Sequence, residues 1–278
     1  MLDIISKTAN GSIIQHGKHN DRVYLMKLKD GNTQSTLDEI IKIAKENNYS
    51  KIFCKVPKST APLFLARGYI LEAFIPKFYN NSEDLFFLSK FLNPERLKNI
   101  EKDKFHNLNV LLADPTRIKS VKTRPSGYKI RRLGKNDVEQ ITLIYSGVFE
   151  SYPFPIHDQK YIAKTMDENV QYFGAEKDGE LAALASSEID FEGENAEMTD
   201  FATRKNHTGK NLSVLLLSTM EKEMKQQGIT TLYTIARLNS IPMNKTFLRS
   251  GYLYSGTLMK NTNISGKIES MNVYYKYL

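Results

Sequence analysis

Tryptophan is absent from this chain of 278 residues, and cysteine occurs once, at Cys54. A lone cysteine cannot close an internal disulfide, which excludes a cross-linked secreted framework. It lies in the apolar run Ile52-Phe53-Cys54-Lys55-Val56 and reads as a buried, inert thiol. Long apolar runs are missing too. No window approaches the ~20 apolar residues of a membrane span. Residues 1–18 lack the basic start and apolar stretch of a signal peptide. A soluble, cytoplasmic protein with no membrane partner is therefore expected. No dense Lys/Arg cluster with interleaved aromatics and no zinc-ligand spacing occurs, so neither a nucleic-acid partner nor a metal is expected.

What is present is the composition of an ordinary folded protein, 41% hydrophobic, 25% charged and 10% aromatic. The length suits one large domain or two modest ones. The net charge of +8 fits an anionic cofactor or a solvated surplus of lysine.

Two prolines, a glycine and several polar residues mark a linker over 113–127, between an N-terminal α/β domain over 1–112 and a C-terminal domain over 128–278. Before the linker, 93–112 reads as one helix, with Asn93 as N-cap and Pro94 in its first turn. After it, strands are predicted at 128–133, 170–176, 181–191, 196–203, 230–236, 253–260 and 270–277. Helices are predicted up to 149, over 157–168, after Gly209 and after Ser240. The order is β-α-α-β-β-β-α-β-α-β-β, an α/β class with a mixed sheet.

The two halves resemble each other. Phe64-Leu65-Ala66-Arg67-Gly68-Tyr69-Ile70 echoes Phe247-Leu248-Arg249-Ser250-Gly251-Tyr252-Leu253, with Lys77 and Lys260 at matching distances. Residues 37–56 line up with 217–236, so the first half reads as a degenerate αβαββ copy. Its 27–31 segment lacks a Gly-x-Gly pattern, which predicts that this half does not bind the anion its partner binds. It packs on the second half or shapes an acceptor pocket.

The informative segment is 196–212, where a strand runs through a short loop into a helix. A helix N-terminus offers free N–H groups and the positive end of a dipole, an anion site suited to a pyrophosphate. Gly209 allows close backbone approach. The segment resembles the acetyl-CoA motif of GNAT enzymes, Gln/Arg-x-x-Gly-x-Gly/Ala. Asn206 falls at the first position, Gly209 at the second and Asn211 at the third. The stretches Thr199-Asp200-Phe201-Ala202-Thr203, Tyr233-Thr234-Ile235-Ala236-Arg237 and 256–273 narrow the resemblance to the β-lysine N-acetyltransferase family.

The resemblance implies a C-terminal GNAT acyltransferase fold, with a degenerate half-GNAT domain before it. It implies acetyl-CoA as co-substrate, contacted by Phe201, Ala202, Thr203, Thr208, Gly209, Lys210, Asn211, Leu212 and Asn244. The acceptor is the side-chain amine of β-lysine, and the product is a compatible solute. Glu197 is expected as general base, with Asp200 as rival on the opposite face by strand alternation. The position of the usual general acid holds Phe247, so Tyr252 or Tyr254 takes that role, or thiolate leaves unaided. Arg237 and Glu269 are candidates for substrate recognition, and a monomer or homodimer is expected. Another amine acceptor, or a CoA-binding module without activity, is the alternative.

Overall fold

The computed structural model describes residues 3–29, 31–114 and 125–278. The first half holds β1 (Ile4–Lys7), β2 (Ile13–Gly17), β3 (Arg22–Lys27), α1 (Thr33–Glu46), β4 (Lys51–Pro57), α2 (Ala61–Leu65), β5 (Ile70–Tyr79) and β6 (Glu83–Phe91). After α3 (Lys102–Ala113) come β7 (Lys129–Arg132), α4 (Val138–Val148), α5 (Gln159–Asp167), β8 (Val170–Lys177), β9 (Glu180–Asp190) and β10 (Asn195–Thr203). The chain ends with α6 (Leu212–Gln226), β11 (Thr231–Arg237), α7 (Ile241–Arg249), β12 (Leu253–Ile264) and β13 (Lys267–Tyr277). The second half follows the predicted order element by element. Most of the expected linker, 115–124, lies outside the described residues.

One helix was expected over 93–112, and two elements stand there. Asn93 caps a short 3-10 turn, Pro94–Leu97, by accepting from the Glu95 amide. Lys98 then turns extended and Asn99 takes a left-handed conformation (φ 59°), which stops helix propagation before α3 begins.

The repeat is larger than the residue identities suggest. One sheet runs β1-β2-β3-β4-β6-β5 and the other β12-β13-β11-β10-β9-β8-β7. With β1–β6 set on β8–β13, the order is the same, and each sheet has one parallel pair, β3 with β4 and β10 with β11. The first half lacks only counterparts of β7, α4 and α5. Even the irregularities coincide. The β5–β6 register shifts between Leu71 and Ala73 and between Ile75 and Tyr79; the β12–β13 register shifts between Tyr254 and Gly256 and between Leu258 and Thr262. Lys77 and Lys260 both take positive φ within those bulges.

Each sheet buries one face under its helices. In the second half, Leu216, Met220 and Met224 of α6 lie on Ala183, Ala185, Ala196 and Met198, each burial stabilising by about 1.5–3 kcal/mol. The halves share a third core, in which Phe53, Ile75, Phe78, Leu85 and Phe87 meet Tyr233, Leu258, Met271 and Val273. Here β5 and β12 touch backbone to backbone. A Cβ on Gly256 would lie 2.2 Å from the Glu72 carbonyl oxygen and 2.9 Å from the Ala73 Cα. Buried Lys51 bridges the halves, donating to the Glu72 carboxylate at 2.9 Å and to the Met259 carbonyl at 2.7 Å.

Candidate active site

Two openings flank β10. β10 pairs with β11 only at Asn195, Ala196 and Glu197, and the strands then part. On its other edge the register against β9 shifts between Thr199 and Ala202, with Asp200 at φ 56°. This bulge divides a cavity of about 560 Å³ from a groove of about 500 Å³. Glu197, Thr199 and Asp200 line the cavity, while Phe201 and Thr203 line the groove.

The groove opens at the N-terminus of α6. Gly209 (φ 76°) and Asn211 (φ 56°, ψ 26°) both adopt left-handed backbone, which glycine and asparagine tolerate better than other residues. They turn the chain into α6, whose first amides have no intrahelical acceptor. Asn211 makes no side-chain cap, so these donors stay available. A Cβ at Gly209 would meet nothing within 4 Å and would stand in the groove. Thr208, Lys210 and Leu212 also line it, and His207, Lys245 and Arg249 add basic groups around it. The donor set fits the phosphates of CoA. The loop is braced by Tyr128, whose hydroxyl pairs with His207 Nδ1 at 2.6 Å and accepts from Lys210 Nζ at 3.1 Å.

The cavity lies between the two halves. Its second-half wall carries Glu188, Glu197 and Asp200; the first half contributes Arg22, Tyr24, Phe53 and Lys55. Glu197 is flanked in register by Glu188 on β9 and Tyr233 on β11. Burial, and then the Glu188 carboxylate, push the Glu197 carboxyl up to about 7, against the Lys55 ammonium and a Tyr233 hydrogen bond. Lys55 Nζ donates to the Tyr233 hydroxyl at 3.2 Å.

Asp200 does not point away from Glu197, as alternation implied. The bulge inserts an extra residue and swings its carboxylate onto the same cavity. Burial raises its carboxyl, but hydroxyls hold it. Tyr152 donates to one oxygen at 2.5 Å, with Thr199 at 3.2 Å, and Ser186 donates to the other at 2.8 Å. Three hydroxyls thus donate to this carboxylate, two to one oxygen and one to the other.

Other expected residues lie elsewhere. Tyr252 lines neither opening. It is 2% exposed, packed against Phe247 at 5.2 Å between ring centroids, with Lys276 Nζ over its ring. Its aromatic surface fills the core beneath β13, so it is no acid for a thiolate at the groove. The Tyr254 hydroxyl pairs with Thr257 Oγ1 at 2.6 Å. Asn244 is buried, with its amide donating to the Arg237 and Ser240 carbonyls and its Oδ1 accepting from Asn272 and Tyr274. It ties α7 to the sheet and does not face the groove. Ala202 is buried against α4. Arg237 and Glu269 form a two-pronged ion pair, 2.8 and 2.7 Å, away from the cavity wall. Each answers the other's charge.

The residues that sequence reasoning missed are Arg22, Lys55, Tyr152 and Glu188. The available signal was a charge inside an apolar strand: Lys55 within Phe53–Val56, Glu188 before Ile189. Tyr152 sits among the prolines between α4 and α5, which read only as helix breakers. Among the described residues, no group of three or more His, Cys, Asp or Glu could hold a metal ion. No helix there is long and apolar enough to cross a membrane.

Comparison with known proteins adds the following. Residues 138–252 match the Acetyltransferase (GNAT) family. The chain is 40% identical over 274 residues to a Beta-lysine N(6)-acetyltransferase of Methanococcus maripaludis, covering 96% of each. It is 28% identical over the full length of both chains to the N-acetyltransferase YodP of Bacillus subtilis. The ribosomal-protein-S18-alanine N-acetyltransferase of Escherichia coli superposes with a TM-score of 0.48 at 17% identity, covering 54% of this chain and 93% of that one.

Proposed function

This chain belongs to the β-lysine N(6)-acetyltransferase family of GNAT enzymes, and from that footing we propose how its two openings divide the work. The enzyme transfers an acetyl group from acetyl-CoA to the N(6) amine of β-lysine. Acetyl-CoA supplies an activated thioester, and the groove residues Gly209, Lys210, Asn211 and the first amides of α6 hold its phosphates. The amine enters through the cavity between the halves and meets β10 at the bulge.

Glu197 removes the proton that an attacking amine must lose. A base works best when its pKa is near the working pH, and a buried glutamate at about 7 meets that condition. The acceptor ammonium, itself desolvated in the cavity, is easier to deprotonate than in water. Backbone at 201–203, past the point where β10 leaves β11, receives the developing oxyanion in this reading. Asp200 keeps Tyr152 over the cavity. The single observation that carries this reading is Glu197 itself, a buried carboxylate on the cavity wall in register with Tyr233, whose pKa burial pushes up to about 7.

The product suits a compatible solute. Acetylation removes one of the two positive charges of β-lysine and leaves a neutral zwitterion, which can accumulate without a counter-ion. Such a role places the enzyme in the cytoplasm.

The test is CoA thiol release from acetyl-CoA with β-lysine, α-lysine, polyamines and a lysine peptide. Turnover concentrated on β-lysine is expected. Equal turnover across the panel, or none on β-lysine, overturns the assignment of acceptor.

A further inference from the structure

We infer that Arg22, supplied by the first half of the chain, is the receptor for the carboxylate of the acceptor, with Asn261 beside it for the neighbouring ammonium. The inference rests on reading the cavity between the halves as the acceptor site.

Arg22 is 4% exposed and lines the cavity. Its Nη1 donates to the Asn261 carbonyl at 2.5 Å and to Thr262 Oγ1 at 3.3 Å. Its Nε is buried and has no partner. Among the described residues, no carboxylate lies within ion-pair distance of the guanidinium. Two rings lie beside it, Tyr24 at 5.2 Å and Phe53 at 5.6 Å from the guanidinium carbon, and the Asp3 carboxylate acts on it only from beyond ion-pair distance. Burial pulls its pKa down to about 10, so it remains charged at neutral pH.

A buried, charged arginine without a counter-charge is costly, and proteins pair such groups. Arg96, the other buried arginine among the described residues, shows the usual arrangement. It donates to the carbonyls of Lys260, Asp21 and Asn20 and to Ser50 Oγ, and Asp21 lies 3.5 Å away. Arg22 has a carbonyl and a hydroxyl of the same kinds but no carboxylate at ion-pair distance, and it lines a cavity of substrate size. A carboxylate in the cavity would accept from the guanidinium and supply a close counter-charge.

Asn261 is 1% exposed, lines the same cavity and leaves Oδ1 without a partner. An acceptor next to a cation is what a β-amino acid head group requires, since its carboxylate and ammonium sit two carbons apart. The far amine then points toward Glu197. Tyr24 lies two residues beyond Arg22 on β3, about 6.6 Å along the strand, and its hydroxyl feels the Glu197 charge. A six-carbon diamino acid spans such a gap.

The experiment measures kcat and KM of the full chain for three acceptors: β-lysine, its neutral carboxamide, and 1,4-diaminopentane, which is β-lysine without the carboxyl group. The wild type should favour β-lysine over the carboxamide by about 100-fold in kcat/KM. Arg22→Gln should lose about 100-fold on β-lysine, chiefly through KM, and change little on the other two. Equal losses on all three acceptors would mark Arg22 as merely structural and overturn the inference. If Arg22→Gln does not fold, the wild-type comparison of acid and carboxamide still decides. Equal efficiency on those two removes the carboxylate receptor and leaves β-lysine acetylation standing. No turnover of β-lysine, with acetyl-CoA still bound, removes the acceptor reading and the inference together.

Discussion

The two halves of the chain are built on one strand order, one parallel pair and one set of bulges, and they do different work. The difference is concentrated in a few positions. Where the second half sets Glu197 against Tyr233 on its parallel pair, the first half sets Tyr24 against Phe53. Where the second half enters its helix through Gly209 and left-handed Asn211, the first half enters through Asn32, whose side chain accepts from the Ser35 amide at 3.0 Å. The turn before β2 also closes over that helix end, with the Asn10 amide on the Asn32 carbonyl at 3.1 Å. The Asn32 side chain thus occupies the Ser35 amide, whereas Asn211 leaves the first amides of α6 without a side-chain cap. On the reading proposed above, the same scaffold yields an anion groove in one copy and, in the other, a wall that brings Arg22 and Lys55 to the cavity. Catalytic capacity here is a property of loop chemistry and a few strand positions, and the sheet is common to both.

Glu197→Gln should sharpen that contrast most. It removes the ionisable group that the first half lacks, and kcat should fall by about 10²–10⁴-fold. In the wild type the base is inactive when protonated, so the rate should rise with pH through about 7 and level off above it. The variant should lose that limb. Glu188, Lys55 and Asp200, which face Glu197, stay in place in both proteins. The folded pKa of Glu197 lies above that of a free glutamate, so its ionisation weakens the fold as pH rises through about 7. At pH 8, Glu197→Gln should therefore be at least as stable as the wild type. A slow variant that keeps the limb would move the base elsewhere on the cavity wall.

The sequence already held most of the second half, because its signals are local. The spacing of Leu212, Leu216, Met220 and Met224 marks one helix face, and Gly228 and Gly251 follow their helices closely. In the first half, the αβαββ repeat could be read from Phe64-Leu65-Ala66-Arg67-Gly68 against its later echo. β1–β3 could not, since they are short and share shape with β8–β10 without sharing residues. The lining of the two openings was legible where it depends on one segment. Glu197, on the cavity, and Gly209, on the groove, are of that kind. The side of the strand on which Asp200 falls depends on a bulge, which no period of two reveals. Arg22 and Lys55 became part of the site only when the halves packed, and Asn244 and Tyr252 went inward for the same tertiary reason.

Lys51→Met would break the comparison at its seam. Lys51 is fully buried, and with Glu72 it is the charged contact that fastens β4 and β5 of one half to Met259 of the other. Removing the ammonium strands a buried carboxylate, which costs about 3–5 kcal/mol. Urea unfolding should show that loss, while kcat/KM measured well below the new transition should change little. A stable variant with altered kinetics would mean that the seam tunes the site.

The smallest effects should come from the two asparagines at the helix entrances, and they probe the contrast most directly. Asn32 caps with its side chain, so Asn32→Ala should lower stability by about 1 kcal/mol and leave the KM for acetyl-CoA unchanged. Asn211 serves through its backbone, so Asn211→Gly should keep both stability and KM, because glycine adopts φ near 56° freely. Asn211→Val forces a branched side chain into left-handed backbone at about 1–2 kcal/mol. The loop should then open, and the KM for acetyl-CoA should rise. If Asn32→Ala raised that KM instead, the first half would still hold an anion at its helix end, and the division of labour between the copies would fail at its simplest point.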